Sequence, residues 1–134
     1  MIEEHEDRWV IGLRGTAVVA VDYVDLPRDV LTVALADGAL LTVSGPVLLT
    51  DGPASAPGAV ALPVREAGLL VGATVRSAVA FKNGSLRMVF GTGHHLNVRP
   101  TEPATRIRLW KPGAYCWSWE RNTETGTGTG HMRV

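Results

Sequence analysis

The chain alternates apolar and polar residues over short segments, and turn residues separate these segments from one another. In a β-strand successive side chains point to opposite faces, so this period of two predicts half-buried strands. In one such segment Leu86, Met88 and Phe90 share a face, and the residues between them share the other. The pattern predicts a mainly β fold whose core is built from the inward rows. The predicted core residues are Val18, Leu31, Val33, Leu35, Leu41, Val43, Val75, Leu86, Met88, Phe90, Leu96 and Val98.

Turn-forming pairs predict hairpins between several of these segments. Asp37-Gly38 and Asn83-Gly84 suit the type I′ turn, in which both central residues have positive φ. Apolar residues at helical spacing predict one short helix over 60–70, starting near Pro63. The predicted strands cover residues 9–13, 16–23, 30–35, 39–44, 47–50, 73–82, 85–90, 94–99, 107–110 and 115–119.

One pattern occurs twice in this part of the chain. The segment from Leu31 to Val43 matches the segment from Leu86 to Val98 at a constant offset of 55 residues. The match predicts an internal repeat, with related hairpin units at residues 13–44 and 70–99. Two such units, each with one apolar face, would pack as a small antiparallel sandwich or a partly open barrel.

A single domain is predicted over residues 9–120, and both ends of the chain are predicted to lie outside it. Residues 1–8 form a charged lead-in that we expect to be frayed. Residues 121–134 contain a run of alternating Gly and Thr, which offers little apolar surface for burial. We therefore predict a flexible tail there.

Charge and composition exclude some classes of function. The 134 residues include 13 basic and 13 acidic ones, and the basic excess typical of nucleic-acid binders is absent. With Cys116 alone, neither a disulfide within the chain nor a cysteine metal cluster is expected. The acidic start does not resemble a signal peptide, and no apolar run is long enough to cross a bilayer. We expect a cytoplasmic protein with no nucleic-acid or membrane partner.

The order of strands and turns resembles a small actinobacterial domain of unknown function, DUF6188. The resemblance covers residues 9–120 and depends on Val21-Asp22-Tyr23, Asp37-Gly38, Gly45-Pro46, Gly84 to Phe90 and Leu96-Asn97-Val98. It is looser from Arg106 to Gly113 and from Trp117 to Glu120. It implies a bacterial β domain and brings no established activity.

His94-His95 is the first place to look for catalytic chemistry. Adjacent strand residues face opposite sides, so the pair cannot ligate one ion from a regular strand. His94 shares the parity of Leu96 and is predicted to point inward, where it could act with Asp22 or Tyr23. These three are weak catalytic candidates. No spacing typical of metal ligands occurs, so neither a metal nor a cofactor is expected.

A cluster of aromatic residues near the end of the chain is the best candidate for a binding surface. Trp and Tyr supply large contact areas at protein interfaces, and a neighbouring Arg adds a charge. Alternatively, Trp117 and Trp119 could cover the core from the last strand, leaving Cys116 as an inert residue on the opposite face. The candidate binding residues are Arg108, Trp110, Tyr115, Trp117 and Trp119.

These observations predict a non-catalytic, intracellular protein-interaction module, of the immunity or accessory type by analogy with other small β domains. Its partner would be an unidentified protein or a second copy of the chain. The alternative is a small β-barrel that binds a small molecule or performs modest acid-base chemistry with His94.

Overall fold

The computed structural model describes residues 2–25, 29–100, 105–121 and 128–134. These residues are mainly in β-strands, with one short 3₁₀ helix at Val64–Leu70. The strands in chain order are β1 (Ile2–Glu4), β2 (Arg8–Ile11), β3 (Val18–Val24), β4 (Val30–Leu35), β5 (Leu40–Ser44), β6 (Leu48–Asp51), β7 (Val60–Leu62), β8 (Val75–Phe81), β9 (Leu86–Phe90), β10 (His94–Val98), β11 (Arg106–Lys111), β12 (Tyr115–Arg121) and β13 (Gly128–Arg133).

The strands of the described residues pair into two antiparallel sheets. The first sheet has the order β1-β2-β8-β9-β10-β6-β7, and the second has the order β13-β12-β11-β5-β4-β3. Neither sheet closes on itself, so the predicted mainly β fold is confirmed as two antiparallel sheets without a closed barrel, consistent with a small sandwich. The predicted short helix is also present, and it packs against β3 with Ala67 and Leu70 buried.

Each sheet combines strands from both halves of the chain. Strands β3, β4 and β5 follow one another in the second sheet, and β8, β9 and β10 do so in the first. The next strand then joins the opposite sheet, since β6 pairs with β10 and β11 pairs with β5. Neither half therefore completes a sheet without the other.

The two sheets are joined by backbone hydrogen bonds around one bridge, where Ala17 faces Thr74. The bonds, each 2.8 Å long, run from Gly15 N–H to Val75 O, Gly72 N–H to Val18 O, Val18 N–H to Ala73 O and Val75 N–H to Thr16 O. Exchanging residues 15–18 with residues 72–75 converts each bond into another member of this set. The junction is therefore two-fold symmetric in its backbone contacts.

Irregularities of the two hairpin units also lie at corresponding places. The register between β3 and β4 shifts between Val18 and Ala20, and the register between β8 and β9 shifts between Val75 and Ser77. Such β-bulges increase the local twist of a strand. Each strand therefore bends as it leaves the junction for its own sheet.

The inward rows predicted from alternation form the core. All of the predicted core residues are at most 3% exposed, and this confirms the assignment of faces. They are Val18, Leu31, Val33, Leu35, Leu41, Val43, Val75, Leu86, Met88, Phe90, Leu96 and Val98. Their side chains fill the space between the sheets.

Both chain ends differ from the prediction. Ile2–Glu4 is strand β1, which pairs with β2, and Glu4 Oε2 lies 2.7 Å from Lys82 Nζ. Gly128–Arg133 is strand β13, which pairs with β12 and packs Met132 against the core. Backbone pairing explains this strand, because ladder hydrogen bonds need no apolar side chains. Residues 122–127 of the predicted tail, and 26–28 of a predicted turn, lie outside the described residues.

Two turn glycines provide a test of the packing between the sheets. Gly84 has φ +98°, and a Cβ atom there would overlap the Trp119 indole, whereas Gly93 has φ +92° with open space around it. Gly93→Ala should cost about 1–2 kcal/mol for the left-handed backbone alone. Gly84→Ala should cost about 1–3 kcal/mol more, because it also overpacks the core.

Urea unfolding of the two variants and the wild-type protein measures these costs. Equal losses of stability in the two variants would show that Trp119 does not pack on this turn.

Candidate functional site

The predicted aromatic hairpin is present, and its register decides which aromatic residues are accessible. Residues i, i+2 and i+4 of a strand share a face. Tyr115, Trp117 and Trp119 therefore lie in one row, at 6%, 0% and 5% exposure. Their predicted role as surface binding residues is wrong, because this row of β12 faces the other sheet and completes the core.

The buried aromatic row carries polar atoms without partners. Tyr115 OH and the Nε1 atoms of Trp117 and Trp119 make no hydrogen bond within the described structure. Burial, assisted by the Asp37 carboxylate, raises the pKa of Tyr115 to about 12. Since an unpaired buried polar group destabilises a protein, these rings contribute through apolar packing and not through hydrogen bonding.

Trp110 and Arg108 lie on the opposite, outward face of the hairpin. The Arg108 guanidinium stands 4.1 Å from the centroid of the Trp110 ring, a typical cation–π distance. Trp110 is half-buried between Cys116 of β12 and Leu40 of β5, which are its neighbours across the sheet. Of the predicted binding residues, these two therefore remain available to a partner.

A basic strand edge borders this stacked pair. Arg133 of β13 lies opposite Cys116, and therefore on the same face as Trp110. Arg108, Trp110, Cys116 and Arg133 line a shallow groove of about 430 Å³, and no Asp or Glu side chain is among its described lining residues. We call these four residues the basic-aromatic face. Beside it, Lys111 Nζ lies 3.5 Å from Asp37 Oδ2.

The three weak catalytic candidates belong to two different sheets. His94 begins β10 of the first sheet, is half-buried, and places Nδ1 2.7 Å from Thr92 Oγ1. It shares the parity of the buried Leu96, as predicted, and lies at the end of the strand beside its turn. Asp22 and Tyr23 lie on β3, an edge strand of the second sheet.

Tyr23 is engaged locally. Its hydroxyl donates to Asp29 Oδ1 over 2.7 Å, and this hydrogen bond, with a smaller effect of burial, raises the pKa of Tyr23. Asp22 is exposed on the outward side of β3. Among the described residues, no hydrogen bond or ion pair joins His94 to Asp22 or Tyr23.

The described residues offer neither a metal-ligand cluster nor a membrane-spanning helix. Within residues 2–25, 29–100, 105–121 and 128–134, no three His, Cys, Asp or Glu side chains come together as a metal site. None of the helices formed there is long and apolar enough to cross a membrane. Cys116 lies half-buried on the outward side of β12, the face predicted for it.

A polar surface that the sequence did not predict lies on the outer face of the first sheet. There Arg87 of β9 lies opposite Asn97 of β10, and Arg99 follows two residues later. Two adjoining grooves of about 540 and 530 Å³ share Asn97 and Arg99 in their lining. The outward parity of these residues was a signal in the sequence. Their grouping depends on the pairing of β9 with β10.

The chain matches a known protein family. A family model described as a family of unknown function (DUF6188) matches residues 9–116, which is most of the chain. The match includes both hairpin units and Trp110, and it ends before Trp117. No curated protein and no solved structure matches the chain.

The buried hydroxyl of Tyr115 gives a stability prediction. Tyr115→Phe removes an unpaired polar atom, so stability near neutral pH should stay constant or rise by up to about 1 kcal/mol. Tyr115→Ala, which also removes the ring, should lose about 3–5 kcal/mol. Urea unfolding measures both. A clear loss in the Phe variant at neutral pH would show that the hydroxyl has a stabilising partner.

The same residue predicts a pH dependence. The unfolded chain should release the Tyr115 proton near the ordinary pKa of 10.0, whereas the folded chain should hold it until about 12. The wild-type protein therefore loses stability from about pH 10 to about pH 12 through this group. The Phe variant lacks this contribution, so the stability difference between the two proteins should shift in favour of the variant over that interval. An unchanged difference would contradict the raised pKa.

Proposed function

We propose that this chain, which belongs to the DUF6188 family of unknown function, is a non-catalytic module that binds a protein partner through the basic-aromatic face. The stacking of Arg108 on Trp110 is the observation that carries the proposal. Trp and Arg are the residue types most often found as energetic anchors of interfaces. A stacked arginine also has less side-chain freedom to lose when a partner binds.

The chemistry of the face favours an acidic partner. Arg108 and Arg133 contribute positive charge, and no described Asp or Glu side chain lines the groove between them. The whole chain has a formal net charge of zero, so this charge is a local property of one face. A complementary acidic surface would associate faster and be selected against neutral or basic proteins.

We also propose that the interaction takes place inside a bacterial cell, in an immunity or accessory role. The resemblance to actinobacterial domains supports the origin. The free thiol of Cys116 fits a reducing compartment, where disulfides are rare. The matched hydrogen bonds of the junction support a further proposal, that the two hairpin units are an internal repeat.

The alternative of a ligand-binding barrel with acid-base chemistry has less support. The sheets remain open, and large apolar side chains occupy the space between them. His94 contacts Thr92, the Tyr23 hydroxyl donates to Asp29, and Asp22 is exposed. The outward side of the second sheet therefore carries the stronger case for a binding site.

Loss of the stacked pair should abolish partner binding without unfolding the protein. Trp110→Ser and Arg108→Glu should each weaken the complex about 30-fold or more, as expected for an interface anchor. The matched control is Arg76→Glu, which reverses an exposed charge on β8 in the other sheet. Both Arg variants should unfold within about 0.5 kcal/mol of the wild-type protein.

Quantitative pull-down from cells of the source organism, followed by titration of the purified partner, measures the effect. The supporting result is a partner that the wild-type protein and Arg76→Glu bind, and that Trp110→Ser and Arg108→Glu lose. Retention of every specific partner by both face variants would contradict the proposal.

A second copy of the chain is the other candidate partner. Sedimentation of the purified protein tests this case directly. A mass above that of one chain that returns to one chain in Arg108→Glu would identify the partner as a second copy bound by this face. An oligomer that Arg108→Glu leaves intact would place self-association elsewhere.

A further inference from the structure

The geometry points to a second site on the opposite side of the molecule, where the outer face of the first sheet binds a small amphiphilic anion. Its head, a phosphate or carboxylate group, would lie among Arg87, Asn97 and Arg99. Its apolar body would lie along Val47 and Leu48. This site is separate from the basic-aromatic face, which belongs to the second sheet.

The cationic part of the site is a groove of about 540 Å³. Arg87 and Asn97 lie directly opposite each other on β9 and β10, and Arg99 follows Asn97 on the same side. No Asp or Glu is among the described residues that line the groove. No ion pair among the described residues neutralises Arg87 or Arg99. Both guanidinium groups are therefore available to an anion.

The groove holds its polar groups in a defined arrangement. The Arg87 guanidinium stands 5.6 Å from the centroid of the Phe81 ring, which is a cation–π contact. Asn83 Oδ1 accepts a hydrogen bond of 2.9 Å from Ser85 N–H, and this fixes the turn at the end of the groove. Burial and the positive charge of Arg87 lower the pKa of His95 on the same face. Arg87 and the turn residue Asn83 are therefore both held by contacts within the structure.

The apolar part adjoins the cationic part. A groove of about 530 Å³ is lined largely by Pro46, Val47, Leu48 and Ala54, together with Asn97 and Arg99. Leu48 is 44% exposed and lies directly opposite Asn97 in the sheet. The volume of each groove falls within the range of small-molecule sites. The shared residues Asn97 and Arg99 join the two grooves into one surface.

This adjacency selects the ligand class. An inorganic anion could satisfy the arginines but would leave Leu48 in water. An uncharged apolar molecule could cover Leu48 but would make no use of the guanidinium groups, which bind phosphate and carboxylate well. A molecule with an anionic head and an apolar body uses both parts. The proposed ligand is a free molecule in solution.

The test uses four probes on the full ¹⁵N-labelled chain, namely octyl phosphate, octanoate, inorganic phosphate and octanol. Amide chemical shifts locate the binding site and give the dissociation constants. Octyl phosphate or octanoate should shift the amides of β9 and β10 and bind about 10-fold or more tightly than inorganic phosphate and octanol. The stronger of the two charged probes identifies the head group.

Variants separate the contributions. Arg99→Gln and Arg87→Gln should each weaken binding of the charged amphiphile about 10-fold, as expected for loss of a charge-assisted hydrogen bond. Arg76→Gln, an exposed arginine of β8 outside both grooves, is the matched control and should leave binding unchanged. Trp110→Ser should also leave it unchanged, so this test is independent of the proposed protein partner.

Several results would overturn the inference. Equal binding of octanol and octyl phosphate would show that charge is not recognised, and equal affinity of the arginine variants would show that these residues are not used. Shifts confined to other parts of the chain would place the site elsewhere. Co-sedimentation with anionic vesicles, without binding of the free probes, would indicate a lipid surface and contradict a free ligand.

Discussion

The backbone junction between residues 15–18 and 72–75 is the constraint on which the rest of the structure depends. Its hydrogen bonds join the starts of β3 and β8, and bulges just beyond it turn these strands into different sheets. Once the two hairpin units lie in different sheets, β6 and β11 complete the sheet of the other unit. The sandwich is thus held together by its core and by strands β6 and β11, each of which joins the sheet of the other unit. Neither half of the chain forms a complete sheet alone.

The same constraint determines which aromatic residues can meet a partner. Strand β11 pairs with β5, and β12 pairs with β11 in the same sheet. Successive residues of β12 therefore face the core and the outside in turn. The large row, Tyr115, Trp117 and Trp119, fills the space between the sheets, and the small row with Cys116 faces outward. Cys116 is a small neighbour of Trp110, so burial of the large row leaves the half-buried Trp110 partly accessible beside Arg108.

The sequence predicts the local parts of this arrangement well and the non-local parts poorly. Period-two alternation identifies the inward rows, such as Leu86, Met88 and Phe90, because it depends on one strand at a time. Strand β13 was not predicted, because its Gly and Thr residues pair through the backbone and composition does not indicate such pairing. The grouping of Arg87, Asn97 and Arg99 was not predicted either, because it depends on the register between two strands. The surface role assigned to Trp117 and Trp119 failed because the covering sheet is distant in sequence.

The outward faces of the molecule are more accessible to a ligand than its interior. The interior is occupied by large apolar side chains, and its polar atoms at Tyr115, Trp117 and Trp119 have no partner within the described structure. A ligand in the core would have to displace that packing, and displaced core side chains cost several kcal/mol each, about 2–5 for a large aliphatic residue. An outward site requires no such rearrangement. The chain has no net charge, but its charges are not all paired. Glu4 forms an ion pair with Lys82, whereas Arg87 and Arg108 lie against aromatic rings and keep their charge available.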